Sequence, residues 1–327
     1  MKRSLCILLL VSLLLCSCGN RFPQETEAVF TPDYQVLPED EPEDPQARLQ
    51  WRRDVVEQQM RHMLSVLWTP EQNIIYSAVP QSAGVEADKK SNPDQIITLQ
   101  AGRIYQGIPY THGCGGSFSF LSYATGKDEN GVYTIAGLGA DSLTGTGRSG
   151  PNQSARIGND CADAVAMAWS MVSSSIYFNE TIHMTEYNGI VKVGDYACDM
   201  PVYSSDTTNV AVKNGRQKMY RSYAQLQKGD ALVHVNANGS GHAVMAVDVH
   251  VEYSGNEIDG ANSYVTILQQ DLAAEIDQEG YYNQELNSMV YKLEELDVRL
   301  PFMGLYSIGY LPVTCKELVD PSDIPEP

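Results

Sequence analysis

Gly158-Asn159-Asp160-Cys161-Ala162-Asp163-Ala164-Val165-Ala166-Met167-Ala168-Trp169 is a polar turn running into an apolar helix with a cysteine in its first turn. Asn159 or Asp160 can cap the helix, and Ala162, Val165, Ala166, Trp169 and Val172 recur at the spacing of one buried face. Cys161 therefore stands where unpaired helix amides and the helix dipole favour negative charge, which stabilises a thiolate. A buried cysteine that merely packs is the plain alternative. A nucleophile at this position needs more from the rest of the chain: a base, and a group to orient that base.

Downstream the character of the chain changes. From 170 to about 223 it is mixed and tyrosine-rich, with no resolved period. Leu226-Gln227-Lys228-Gly229-Asp230 is then a polar turn leading into the strand Ala231-Leu232-Val233-His234-Val235. After the loop Asn236-Ala237-Asn238-Gly239-Ser240-Gly241 comes a second strand over 242–251. A third covers Tyr264-Val265-Thr266-Ile267-Leu268-Gln269-Gln270-Asp271, beyond a loop at 254–262. A helix followed by antiparallel strands predicts an α+β fold rather than a doubly wound sheet. Residues 284–298 read as a short acidic helix and 303–313 as a closing strand.

Upstream, Met1-Lys2-Arg3 and the apolar run 5–15 form a secretory signal, too short to span a bilayer. Leu15-Cys16-Ser17-Cys18 resembles the bacterial lipobox, with Cys18 as the expected lipidation site and Cys16 as the alternative. Gly19 rather than Asp after Cys18 points to the outer membrane, so the expected localisation is the cell envelope, lipid-anchored and facing the periplasm or surface. The boundaries are 1–17 for the lipoprotein signal and 18–48 for an acidic, proline-containing tether of disordered composition. Residues 49–100 form an N-terminal helical extension, 101–318 the catalytic domain and 319–327 a tail. Within the extension, Val55, Met60, Met63, Leu64 and Leu67 give an amphipathic helix over 51–68 that Thr69-Pro70 stops.

Glycine is dense between 102 and 158, which reads as loops and turns. Gly145-Thr146-Gly147-Arg148-Ser149-Gly150 matches the dinucleotide fingerprint formally, but no apolar strand precedes it and Pro151 follows where a helix should begin. A net charge of −19 with no basic stripe excludes nucleic acid as a partner. Of the seven cysteines, Cys114, Cys161, Cys198 and Cys315 lie beyond the lipid site, in no zinc-binding pattern. A Cys198–Cys315 bridge is left open, and no metal or cofactor is expected.

A cysteine nucleophile needs an imidazole to take its proton and a polar group to hold that imidazole. Of the six histidines, His242 is best placed, because it follows a Gly-Ser-Gly loop and opens a strand. His234 and His250 read as cross-strand or surface residues, and His112 beside Cys114 is a minor rival dyad. If the 264–271 strand pairs antiparallel with the His242 strand, Gln269 and Asp271 point to one side and Gln270 to the other. Either could orient the imidazole; Gln269 is preferred as an acceptor that adds no charge.

The Asp160-Cys161 helix start, the Leu226 to Asp230 turn and Gly241-His242-Ala243-Val244 together resemble the NlpC-type cell-wall cysteine peptidases and the related CHAP-type amidases. Gly107-Ile108-Pro109-Tyr110 is similar to the Gly-x-Pro-Tyr segment preceding the NlpC-type nucleophile. Leu268-Gln269-Gln270-Asp271 is closer to the CHAP-type strand with its Glu-Gln-Asn triplet. The resemblance covers about 102–271 and implies a papain-like fold, with the nucleophile helix packed on an antiparallel β-sheet. It further implies hydrolysis of amide bonds in peptidoglycan stem peptides through a thioester; separately, the chain is expected to be a monomer. Cys161 would be the nucleophile, His242 the base and Gln269 the orienting residue. Tyr110, Asp160 and Asp271 would contact substrate, with Asp160 meeting its peptide amine. The chain departs from the family at Ala162-Asp163, where the NlpC type has Ser-Gly, and in the long separation of Tyr110 from Cys161. Two alternatives stand beside this reading: a transglutaminase-like acyltransferase, and an inactive module that binds cell-wall peptide or glycan.

Overall fold

Asp44 accepts the amide hydrogen of Ala47 at 2.9 Å and Pro45 occupies the first turn, so helix α1 (Pro45–Ser65) begins on a capping aspartate and a proline. The structure, a computed structural model, describes residues 41–77, 96–110, 120–137, 158–174, 176, 189–198, 206–236, 241–271, 280–294 and 296–319. The signal and Cys18, the tether up to residue 40, His112, Cys114, the 145–150 glycine run and the tail from 320 lie outside these residues. Among the described residues no helix is long and apolar enough to cross a membrane.

Helix α1 buries Val55, Val56, Met60, Met63 and Leu64. It starts within the stretch read as tether and ends before Leu67, because strand β1 (Leu67–Pro70) takes over. Trp68 is fully buried in β1 and donates from Nε1 to the Gly107 carbonyl at 2.8 Å, which another helical turn would forfeit. Strand β1 pairs antiparallel with β4 (Ile104–Gln106) and parallel with β6 (Tyr133–Ile135), beyond the separate hairpin β2 (Ile74–Ser77) and β3 (Ile96–Leu99). With β5 (Ala124–Lys127), β13 (Tyr281–Asn283) and β14 (Ser288–Lys292) they form a mixed six-stranded sheet in the order β13-β14-β4-β1-β6-β5.

The second sheet is wholly antiparallel. It comprises β7 (Ile190–Lys192), β8 (Ala231–Val235), β9 (Gly241–His250), β12 (Tyr264–Leu268), β15 (Val298–Pro301) and β16 (Leu311–Cys315), in the order β15-β12-β9-β8-β16-β7. The expected antiparallel partnership of the His242 strand with the 264–271 strand is thus present. A short hairpin, β10 (Tyr253–Ser254) with β11 (Glu257–Ile258), occupies the stretch read as a loop. Five helices occur among the described residues: α1, α2 (Cys161–Trp169), α3 (Thr207–Asn214), α4 (Arg216–Tyr223) and α5 (Phe302–Ile308). Helices α3, α4 and α5 cover one apolar cluster of the second sheet, around Tyr220, Tyr223, Phe302, Val244 and Ile267. The architecture is therefore α+β.

Two expected elements are different in the structure. Residues 284–298 hold a turn and β14 rather than an acidic helix. The Asn283 side chain accepts the amides of Glu285 and Leu286, and Asn287 takes a left-handed φ of 47°, so the acidic stretch is bent into a hairpin. Val290 is then fully buried between β13 and β4. Residues 303–313 begin as α5, not as a strand. Phe302 and Leu305, one helical turn apart, both enter the core, and left-handed Gly309 ends the helix before β16. Cys315 in β16 is buried and carries no bridge to Cys198.

Helix α1 is tied to the Gly229-Asp230 turn by a buried ion pair. Arg53 Nη1 donates to Asp230 Oδ1 at 2.9 Å and to the Lys228 carbonyl at 2.8 Å, and Nη2 donates to the Leu318 carbonyl at 2.6 Å. Asp230 Oδ2 accepts the Gln227 amide at 2.8 Å. Removing one partner leaves an uncompensated buried charge. Arg53→Ala is therefore expected to lower unfolding free energy by about 3–5 kcal/mol in urea denaturation. The pair Arg53→Met with Asp230→Leu should recover part of that loss, and a near-neutral Arg53→Ala would refute the assignment.

Candidate active site

The candidate site begins with a cap. Asp160 is extended, with φ −96° and ψ −178°, and its Oδ1 accepts the Asp163 amide at 2.8 Å. Of the two residues able to cap α2, Asp160 does so, while Asn159 Nδ2 donates to Met63 Sδ on α1 at 3.6 Å. Every residue of α2 except Met167 is buried. The sequence pattern suggests one buried face; the helix is buried all round because α1 packs along it and β9 lies against it. Cys161 is thereby held at the first turn of a helix with little freedom to shift.

Three segments converge on that cysteine. Tyr110 bridges to Asn159 in parallel fashion, and the Asn159 amide donates to the Pro109 carbonyl at 3.2 Å, so the Gly-x-Pro-Tyr segment is bound to the helix start. The Tyr110 phenol is buried and hydrogen-bonded to the Cys161 side chain. Burial foremost, then the Cys161 and Asp160 charges, keep that phenol protonated far above its usual range, so it is a hydrogen donor.

His242 comes from the second residue of β9, opposite His234 of β8. Gly241, just before it, has no room for a side chain, since a Cβ there would run into the His234 carbonyl oxygen. Gln269 Oε1 lies 3.2 Å from His242 Nε2 and accepts from it, which leaves Nδ1 for the hydrogen bond with Cys161. Burial alone would lower the imidazole's pKa. The Cys161 hydrogen bond and charge, the Asp271 charge and the Gln269 hydrogen bond outweigh it and push the imidazole up to about 9. His242 is therefore an imidazolium at neutral pH, a donor facing sulfur.

The other expected residues take distinct places. Asp271 is exposed, and its charge acts on His242, Tyr110 and Tyr310. Asp160 is buried with Oδ1 engaged by the cap, so any contact it makes with a substrate amine would come from Oδ2. His234 is partly buried; burial and neighbouring His242 lower its pKa despite Asp206 nearby, which keeps it neutral. His250 pairs with Glu252 at 2.9 Å on the surface, away from the cysteine. The sequence reading missed two residues. Tyr310, just before β16, brings a buried phenol within electrostatic reach of Cys161 and Asp271, and Glu294 binds the two residues that follow Gln269, accepting from the Gln270 side chain and the Asp271 amide. No motif marks either one, and each reaches the site only through sheet pairing. Among the described residues no cluster of His, Cys, Asp and Glu could hold a metal ion.

The chain matches no protein-family model, no curated protein and no solved structure. What the site can do follows from its geometry. A sulfur at a helix N-terminus receives hydrogen bonds from an imidazolium and a phenol, and the imidazolium is held by a neutral amide. That arrangement sets two hydrogen donors beside a sulfur at a helix N-terminus, the placement a cysteine nucleophile uses.

Asp163, where the resembling family has glycine, carries a distinct liability. It is buried, Oδ2 has no hydrogen-bond partner, and burial followed by the Asp160 charge pushes its carboxyl up to about 8. Because the folded state holds this proton more tightly than the unfolded one, stability falls as pH rises from about 4 to about 8. Asp163→Asn is therefore expected to raise Tm at pH 8 and to change it little near pH 4, by calorimetry at both values. An equal effect at the two pH values would contradict a buried, neutral Asp163.

Proposed function

We propose that the chain is a papain-like cysteine hydrolase, related to the NlpC-type and CHAP-type enzymes, that cleaves amide bonds in peptidoglycan stem peptides while anchored in the cell envelope by lipid on Cys18. The observation that carries this reading is the hydrogen bond between His242 and Cys161 at the first turn of α2, with Gln269 on the other ring nitrogen and Tyr110 on the sulfur. A cysteine retained only for packing needs neither an imidazole nor a phenol directed at it.

The chemistry balances with these groups alone. Cys161 Sγ attacks the scissile carbonyl carbon and forms a C–S bond, and the carbonyl oxygen gains charge that the Cys161 amide would help to hold. The intermediate collapses, the C–N bond breaks, and the amine leaves with the proton that His242 donates. His242, now neutral, takes a proton from water as its oxygen attacks the thioester; the acid leaves and the thiolate–imidazolium pair returns. Gln269 keeps the ring in register throughout without pinning the proton, because an amide oxygen adds no charge. The substrate class comes from the family resemblance, and Tyr110, Asp160 and Asp271 are the residues assigned to bind it.

The test compares the chain with Cys161→Ala on muropeptides, by chromatography of released fragments. Product from the unsubstituted chain and none from the variant is expected; equal product from both would sink the reading. Binding without turnover by either protein would transfer support to a binding module. The rate should also decline as pH rises through about 9, since His242 is the proton donor to the leaving amine and is lost above that value. A rate still climbing at pH 10 would exclude that role.

A further inference from the structure

We propose that His234 is a substrate-binding residue of this site: its ring, directly across from His242 and against Tyr310, accepts a hydrogen bond from an N–H of the peptide whose carbonyl Cys161 attacks. The inference rests on the hydrolase reading and adds one contact to those assigned to Tyr110, Asp160 and Asp271.

His234 and His242 are paired residues of the antiparallel strands β8 and β9, so their side chains leave the sheet on one face from adjacent positions. The neighbouring strand continues the row. Leu311 of β16 is paired with Val233, which sets Tyr310 beside His234, and the two rings meet with centroids 5.7 Å apart and planes 53° from parallel. Tyr310 in turn lies within electrostatic reach of Cys161, to which His242 is hydrogen-bonded. His242, His234 and Tyr310 therefore make one row from β9 across β8 to the start of β16, with the nucleophile close to both ends. Within β8, Ala231, Leu232, Val233 and Val235 are buried and His234 alone is not. The end of the strand is also fixed: the Thr207 hydroxyl donates to the Val235 carbonyl at 3.2 Å and accepts the Val235 amide at 3.0 Å. The imidazole thus has a set place and an open side.

Charge decides what that ring offers. His242 is an imidazolium, and a second cation directly opposite it is disfavoured. Burial foremost, with the His242 charge, lowers the His234 pKa against the pull of Asp206, which caps α3, and of Asn236. A neutral imidazole carries one N–H and one lone pair. The hydrogen bond with Asn236 favours the protonated ring, so the amide oxygen takes the N–H and the lone pair is what His234 presents. The surrounding charge then selects the partner. The leading charges on His242, Tyr110 and Tyr310 come from Cys161, Asp160 and Asp271, and Asp206 is the carboxylate that acts on His234. A substrate carboxylate is repelled by such a setting, whereas an N–H, of a peptide group or of an ammonium, is attracted to it. The two histidines divide the work: His242 donates and His234 accepts.

The test is calorimetric titration of a purified tetrapeptide muropeptide into the full chain carrying Cys161→Ala, which holds substrate without consuming it. Affinity should fall about tenfold, the size of one lost hydrogen bond, as pH drops from about 7.5 to about 5 and His234 gains a proton in place of its lone pair. Adding His234→Gln supplies an amide oxygen that accepts at every pH, and should keep affinity at pH 7.5 within about twofold while abolishing the acid-side fall. Adding His234→Leu should weaken binding about tenfold at pH 7.5. An acid-side fall that persists in His234→Gln, or unchanged affinity in His234→Leu, would overturn the proposal; His234→Gln carries the test if His234→Leu does not fold. Acetylating the free amines of the muropeptide separates the two N–H sources: a His234 effect that survives assigns a peptide N–H, and one that disappears assigns an ammonium. Binding that depends on His234 without turnover by the unsubstituted chain would overturn the hydrolase reading and leave this contact standing. Turnover with affinity indifferent to His234 would do the reverse, and no binding at any pH would overturn both.

Discussion

The buried ion pair between Arg53 and Asp230 is the constraint on which the rest of the site depends. Two charges withdrawn from water are tolerated when they are paired and hydrogen-bonded, and here the bonds join three segments: the Gly-Asp turn, α1 and the C-terminal stretch at Leu318. The same turn is gripped from the other side. Trp169 Nε1, at the end of α2, donates to the Gly229 carbonyl at 2.7 Å, while the Gly229 amide and the Asp230 carbonyl pair with Ala246 of β9. One turn therefore fixes the far end of the helix that carries Cys161 and the middle of the strand that carries His242. Errors in either would misplace the dyad, so burial of α2 and the register of β9 are one problem with one solution.

At the dyad the electrostatic balance is set by competition. Desolvation disfavours charge on His242, yet the sulfur beside it and the carboxylate of Asp271 favour it more, and the result is an imidazolium well above neutrality. A carboxylate in place of Gln269 would raise it further and weaken it as an acid. A neutral amide orients the ring and leaves the proton transferable.

Much of this was legible in the order of residues. The polar turn before Cys161, the alternation of β8 and β9, the glycine loop before His242 and the Gln269 to Asp271 triplet are local signals: capping, period two and chain reversal are decided within a few residues. Locality also explains the failures. The acidic composition of 284–298 suggested a helix, but β4 offered Val290 a buried strand position, and hairpin closure by Asn283 and Asn287 outweighed propensity. Residues 303–313 looked uniformly apolar, and the helix–glycine–strand division follows from which of them meet the Tyr220 and Tyr223 cluster.

The sequence by itself determined that a capped helix begins at Cys161, that the histidine follows it on a strand, and that the strands around it pair antiparallel, because these follow from short-range periodicity and backbone chemistry. Only the tertiary structure decided that α1 is part of the same core, that Tyr310 and Glu294 belong to the site, and that Asp160 caps while Asp163 is buried. Those facts depend on groups hundreds of residues apart in sequence, such as Arg53 and Leu318, being brought within hydrogen-bonding distance, and no local pattern encodes which distant carbonyl or carboxyl will be the one within reach.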